Sequence, residues 1–409
     1  MATFFLIIIY MAFISLGLPD SMLGVAWPVM QLEYGLPLET AGFLYMIIAG
    51  GTIVSSLASG TVTKLLGTGK VTVISVLMTA IALLGFSISS SLIWLIICAV
   101  PLGLGAGAVD AALNNYVATH YKSHHMSWLH CFWGVGATLG PIIMSIFISG
   151  KFSWRSGYVA IAVIQFASVV LLFFTLPLWS KVGENRQVDL IGNPSDTKID
   201  LPNETVQHVK PLQIKGVKLA LIPFLFYCGV EATMGLWGSS FLVNVKELPV
   251  AVAAQWVSLF YAGITIGRLV TGFVTLKVSN RMLIRTGQLT ALSGAVLLLL
   301  PIPISFSLVG FIFVGLGLAP IYPCMLHETP ARFGKEHSQS IMGYQMAVAY
   351  TGSTFLPPLL GLMASQSSMG IFPILIVIYI IAMLIGSEKV NRLMKTRPII
   401  SKENVEFKV

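Results

Sequence analysis

Apolar residues run along this chain in blocks rather than in alternation. Twelve blocks, approximately 4–30, 40–63, 71–90, 92–118, 126–149, 156–179, 217–243, 251–275, 282–300, 303–326, 338–363 and 370–387, are long and nearly free of charge. About 20 such residues cross the hydrocarbon of a bilayer as a helix. The pattern therefore predicts an all-α integral membrane protein of twelve transmembrane helices, with both ends on one side. The first block holds an acid and follows no basic region, so it reads as a span rather than a secretory signal. The longest polar stretch, "KVGENRQVDLIGNPSDTKIDLPNETVQHVKPLQIKGVK", lies between the sixth and seventh blocks. It divides the chain into a six-helix bundle over 1–180, a connecting loop over 181–216, a second six-helix bundle over 217–388 and a tail over 389–409.

Composition agrees: 56% of the 409 residues are hydrophobic and 10% charged, against about 25% charged in soluble domains. The charge distribution orients the chain. With cytoplasmic termini, 20 of the 24 Lys and Arg residues fall in inner connectors and the tail, three (Lys151, Arg155, Lys246) fall outside, and Arg268 lies inside the eighth block. Under the positive-inside rule this predicts cytoplasmic termini in a multi-pass protein of the cell membrane. The net charge of +8 is accounted for by these connectors, so no nucleic-acid partner is expected. The Asn203-Glu204-Thr205 triplet reads as a glycosylation sequon, which a cytoplasmic loop would leave unused. Cys98, Cys131, Cys228 and Cys324 sit in apolar blocks without ligand spacing and read as buried thiols.

The two halves repeat one another. "SGTVT" at 59–63 returns as "TGFVT" at 271–275, "GLG" at 103–105 returns at 315–317, and Gly17 and Met22 answer to Gly229 and Met234, all at an offset of 212. "GATLGP" ending at Pro141 is similar to "GSTFLP" ending at Pro357, at an offset of 216. Ordered matches at nearly one offset indicate duplication. Twelve spans in two similar halves joined by a long loop resemble the major facilitator superfamily. That resemblance implies a substrate site near the bilayer midplane between halves that rock to expose it alternately. The superfamily's loop signature is partly present in "GTVTKLLGTGK", which keeps Gly60, Gly67 and Lys70 but has Lys64 where an acid is usual.

Of sixteen Asp and Glu residues, three remain deep in spans: Asp20, Asp110 and Glu231. A charge at the bilayer centre costs several kcal/mol, so it faces a cavity or a partner. Arg268 is the sole deep basic residue, and one arginine cannot neutralise three carboxylates. At least two of the acids should bind a proton or another cation. Pro19 interrupts the helix beside Asp20. Asp110 follows "GLGAGAV", whose glycines allow close helix approach, and Asn114 lies one turn further on. "GLPDSMLGVAWPVM", "GLGAGAVDAALNNYV", "LHCFWGVGATLGP", "YCGVEATMGLWGSSFLV" and "GLGLAPIYP" resemble the fucose:proton symporter family and its sodium-dependent glucose transporter-like branch. The resemblance implies that Asp20 and Asp110 serve cation coupling and sugar binding, and that Glu231 and Trp237 match the "E…W" of the glucose-type branch. "HCFW" at 130–133 departs from the fucose-type pattern, so fucose itself is not implied. One charge moved across ~100 mV is worth ~2.3 kcal/mol, roughly fifty-fold accumulation of a neutral solute.

Other residues complete the expected site. Trp133 and Trp237 are candidates for stacking on a sugar ring, or for filling helix-packing volume. Asn114 and Gln345 are candidates for hydroxyl binding, as are Gln255 and Gln288 more remotely. Arg268 is either the counter-ion of Glu231 or a ligand anchor. His120, His124, His125 and His130 read as solvated or interfacial side chains, so no metal site is expected; His130 lies deeper and is a candidate to tune the pH response of Asp110. No metalloprotease helix, nucleophile elbow or phosphate-cradling loop occurs, which argues against an enzyme. The reading is a secondary active transporter, a monomer embedded in the lipid bilayer. It would couple a proton or sodium ion, with no other cofactor, to a small hydroxyl-rich solute such as a sugar. The alternative on the same fold is a proton-driven exporter or flippase of a drug-like or lipid-linked solute.

Overall fold

The computed structural model describes residues 2–121, 123–150, 152–179 and 211–395. Most of the connector, with its Asn203 triplet, and the end of the tail lie outside the described residues. Twelve helical spans long and apolar enough to cross a membrane are present among the described residues. The first is built from α1 (Ala2–Asp20) and α2 (Met22–Tyr34). Then follow α3 (Thr40–Leu66), α4 (Thr68–Ser87), α5 (Leu92–His120), α6 (Ser123–Ser149) and α7 (Trp154–Phe174). The second half comprises α8 (Val217–Asn244), α9 (Val250–Val274), α10 (Asn280–Leu299), α11 (Ile304–Leu318) and α12 (Ile321–Phe333) forming one span, α13 (Lys335–Gln366) and α14 (Ile371–Lys395). Spans begin close to the hydropathy blocks, because the bilayer leaves no other way to satisfy backbone polar groups, but the helices of the tenth and twelfth spans run on to Phe333 and Lys395, past the blocks ending at 326 and 387.

Each half packs chiefly within itself. In the first, α3 lies on α5, α5 on α4, α4 on α7 and α1 on α6. In the second, α8 lies on α13 and α14, α9 on α11, and α11 on α10. The duplication is visible where α3 crosses α5 and α9 crosses α11. A Cβ added at Gly51 of α3 would meet the backbone of Gly103 and Leu104 of α5 at 3.1–3.3 Å, and one at Gly263 of α9 would meet Gly315 and Leu316 of α11 at 3.1–3.4 Å. Gly51 and Gly263 are 212 residues apart, as are Gly103 and Gly315, so one backbone-on-backbone contact has been kept in both copies.

The seam between the halves is formed by α6 against α9, α3 against α13 and α2 against α8. It is shut on the face away from the chain termini, here called the distal face. There Ser145 Oγ donates to the Ala251 carbonyl at 2.9 Å and Ser258 Oγ to the Thr138 carbonyl at 2.8 Å. Gly24 lies so close to α8 that an added Cβ would be 2.2 Å from the Gly235 carbonyl oxygen. Toward the terminal face the same helices part. Gly42 of α3 and Gly361 of α13 both touch the Trp237 ring, whereas Gly60 and Gly343 have no heavy atom within 4 Å of an added Cβ. Each of these residues lies 18 positions from its counterpart, which is five full turns along one helix face and about 27 Å. The faces that meet distally therefore diverge toward the termini.

Candidate functional site: a central cavity between the halves

The site begins at a break in a helix. Pro19 cannot donate a backbone hydrogen bond, and α1 ends at Asp20, with Ser21 as the joint before α2. Ser21 Oγ donates to the Ala137 carbonyl at 3.2 Å, tying the joint to α6. Asp20 is exposed although it stands at the middle of the first span. Its exposure means that solvent reaches it within the seam between the halves.

Two carboxylates are partnered by neutral donors. The Trp133 indole N–H of α6 donates to Asp20 Oδ2 at 2.7 Å. Asn114 Nδ2 donates to Asp110 Oδ1 at 2.8 Å, the one-turn contact expected from their spacing. Tyr350 of α13 reaches across the seam, its hydroxyl 3.5 Å from Asp110 Oδ2. Hydrogen bonds to a charged group contribute about 1.5–3 kcal/mol.

The third carboxylate carries the cation. Arg268 Nη2 of α9 lies 3.6 Å from Glu231 Oε1 of α8, both side chains being mostly buried at 13% and 16% exposure. Of the two roles open to Arg268, counter-ion and ligand anchor, the geometry displays the ion pair. The same Nη2 donates to the Tyr227 hydroxyl at 3.1 Å. The guanidinium also stands 5.5 Å from the centroid of Trp133, over its face. Such a contact is worth ~2 kcal/mol when desolvated. Tyr261 meets the same indole edge-on at 6.2 Å. Trp133 thus touches an acid of the first half with its N–H and the cation of the second half with its ring.

Asp20, Asp110, Asn114, Trp133, Glu231 and Arg268 therefore come together in one cluster at the seam. Trp237 and Gln345 do not. Trp237 is fully buried in the distal seam, its indole donating to the Pro357 carbonyl at 2.7 Å. Gln345 is buried near the terminal face, where it exchanges hydrogen bonds of 3.0–3.1 Å with Thr329. Gln255 bonds Ser145 in the distal seam and Gln288 bonds Ser387 inside the second half. His130 packs edge-on against Phe13, facing Arg268 rather than Asp110. Five tyrosines belong to the surroundings of the site without having been singled out in the sequence. Tyr45 neighbours Asp20 and Glu231, Tyr322 neighbours Asp110, and Tyr227, Tyr261 and Tyr350 make the contacts above. In an apolar block a tyrosine counts toward hydropathy and carries no separate signal.

The pattern of comparison with known proteins is consistent across sequence and structure. Residues 9–327 match the family model described as Major Facilitator Superfamily. The glucose/mannose transporter GlcP of Bacillus subtilis (strain 168) is 26% identical over 340 residues, 79% of each chain. Bypass of stop codon protein 6 of Saccharomyces cerevisiae is 22% identical over 388 residues, 89% of this chain and 77% of that one. Among solved structures, a D-xylose-proton symporter superposes with a TM-score of 0.73 at 12% identity, covering 94% of this chain and 96% of that one. The xylose transporter XylE from E. coli, in a partially occluded inward open conformation, gives 0.71 at 13% identity, covering 96% and 98%. Those structural likenesses speak for the fold, and the family match covers most of the sequence. The chain belongs to the Major Facilitator Superfamily.

Proposed function

We propose that this protein is a cation-coupled symporter of a sugar or a similar hydroxyl-rich solute, working by alternating access within the fucose:proton symporter-like branch. The observation that carries the reading is Asp20, a carboxylate at mid-span that is exposed and, among the described residues, bonded through the neutral indole of Trp133. A mid-span carboxylate that solvent reaches and whose partner is a neutral N–H can bind a proton or metal cation on one side of the membrane and release it on the other. Asp110 is the second coupling group. The Asn114 Oδ1 atom is buried and has no hydrogen-bond partner among the described residues, and together with the neighbouring tyrosines it suits a ligand rich in hydroxyls. GlcP and the D-xylose-proton symporter are named for sugars, which points the same way. Because 20 of the 24 basic residues fall in the connectors and tail that the order of spans puts on the side of the termini, that side is assigned to the cytoplasm and the parting of the helices there to an inward-facing state in the cell membrane. The two six-helix halves, 1–180 and 217–388, are assigned as the rocking units of a monomer.

The test is a ligand-stabilisation screen of purified protein against monosaccharides at two pH values, with and without sodium. At least one sugar should raise the melting temperature in a cation-dependent way. Stabilisation by amphiphilic drugs or lipid-linked compounds and by no sugar would replace the symporter with an exporter or flippase.

A further inference from the structure

Trp133 occupies a place in the site that neither sugar stacking nor volume filling explains. Its N–H is bound to Asp20 in the first half at 2.7 Å. One face of its ring is covered by Arg268 of the second half at 5.5 Å, and its flank by Tyr261 at 6.2 Å. Arg268 in turn stands 3.6 Å from Glu231, longer than the about 2.7–2.9 Å of a fully formed charge-assisted bond. The guanidinium is shared between the indole face, the Tyr227 hydroxyl and the Glu231 carboxylate. The chain Asp20–Trp133–Arg268–Glu231 runs from one half to the other through this single ring.

We propose that Trp133 is a positioning residue that transmits the charge state of Asp20 to the Arg268–Glu231 pair across the seam. This rests on the coupling role proposed above for Asp20. With Asp20 charged, its oxygen holds the indole N–H and fixes the ring under Arg268. When the carboxylate takes up one proton from solution, it becomes a neutral acceptor, whose hydrogen bonds are roughly half as strong. The indole, keeping its own proton, is then free to turn, and Arg268 loses the face it rests on and closes on Glu231. Charge at one half is thereby converted into a rearranged contact on the other, which an alternating mechanism requires of its coupling element. The charged and titratable groups facing Asp20 from neighbouring helices are Asp110 of α5, Glu231 of α8, Tyr45 of α3 and Tyr261 of α9. None of them shares the indole bond.

The experiment needs no sugar. Purified parent, Trp133→Phe and Asp20→Asn proteins are titrated by tryptophan fluorescence, and the Trp133 signal is taken as parent minus Trp133→Phe. That difference should change with pH along a single titration in the parent. The same difference taken from Asp20→Asn and its double variant with Trp133→Phe should be flat. In liposomes, Trp133→Phe keeps an aromatic face but has no N–H. It should lower cation-driven accumulation relative to counterflow by at least tenfold and flatten the pH profile of uptake. A pH-independent Trp133 signal in the parent, an equal titration in Asp20→Asn, or an unaltered ratio of accumulation to counterflow would each overturn the proposal. A flat sugar screen beside an intact Asp20-dependent titration would sink the sugar reading and leave the Trp133 relay standing.

Discussion

The distal seam can be wedged open at one atom, and the structure gives the size of the wedge. Gly24 of α2 packs on α8 so closely that a Cβ would stand 2.2 Å from the Gly235 carbonyl oxygen and 2.6 Å from Leu236 Cα and its carbonyl oxygen. Ordinary contact of this kind begins at about 3.4 Å, so Gly24→Ala overlaps by about 1.2 Å. All three atoms are backbone inside a helix and cannot swing aside. Overpacking of this order costs about 1–3 kcal/mol. A conformation in which the halves have separated distally has no such clash, so nearly the whole cost is differential between the two states. The distal-closed state should lose about 5- to 150-fold in population relative to the distal-open one. Ser258, whose hydroxyl is buried in the seam against the Thr138 carbonyl, reports the opening. With the four native cysteines replaced, Ser258→Cys should react with a hydrophilic maleimide in detergent at a rate raised by that factor when Gly24→Ala is added. Equal labelling rates in the two proteins would refute the reasoning that this seam gates the distal side.

Three further outcomes follow from the placement of particular side chains. Trp237→Ala removes a fully buried ring whose N–H is bound to the Pro357 carbonyl, and should cost about 3–5 kcal/mol of stability; thermal unfolding checks this, and an unchanged melting temperature would contradict the seam-filling role. Glu231→Gln and Arg268→Gln should each destabilise by about 3–5 kcal/mol, because each leaves a buried charge unpaired, while the double variant recovers much of the loss; additive losses in a double-mutant cycle would dissolve the pair. A cysteine placed at Asn203 should resist an impermeant thiol reagent added to intact cells, since the basic residues assign that connector to the cytoplasm; ready labelling would invert the orientation.

What the sequence made legible follows from what the bilayer penalises. Span positions are forced by hydrocarbon, so hydropathy finds them. Asp20, Asp110, Glu231 and Arg268 stand out because charge in such a setting needs a reason, and all four lie in one cluster at the seam. The Asp110–Asn114 contact follows from one helical turn. Trp237 shows where proximity along a chain misleads. It lies six residues beyond Glu231 in the same helix, about 9 Å further along the axis and two-thirds of a turn away in angle. It therefore points into the distal seam while Glu231 faces the cavity. Gln345 is polar within a span, but its hydrogen bonding is satisfied by Thr329, a pairing between α12 and α13 that no spacing rule reveals. The tyrosines escaped notice because hydropathy scores their rings and not their hydroxyls. Gly51 and Gly263 were readable at the repeat offset of 212, yet only the helix crossing gives them a purpose.

The carboxylates of the first half are the groups proposed to couple cation flow to transport. Asp110→Asn retains the size of the side chain and much of the hydrogen bonding to Asn114 and Tyr350, but removes the titrating group. Asp20→Asn does the same beside Trp133. In liposomes, gradient-driven uptake of the sugar found by the stabilisation screen is compared with counterflow between equal pools, which needs no net cation movement. Asp110→Asn should lose accumulation and retain part of the exchange, and Asp20→Asn should lose accumulation too, with exchange lost if Asp20 also holds the substrate. An Asp110→Asn protein that concentrates substrate as the parent does would contradict the coupling role at the centre of this account.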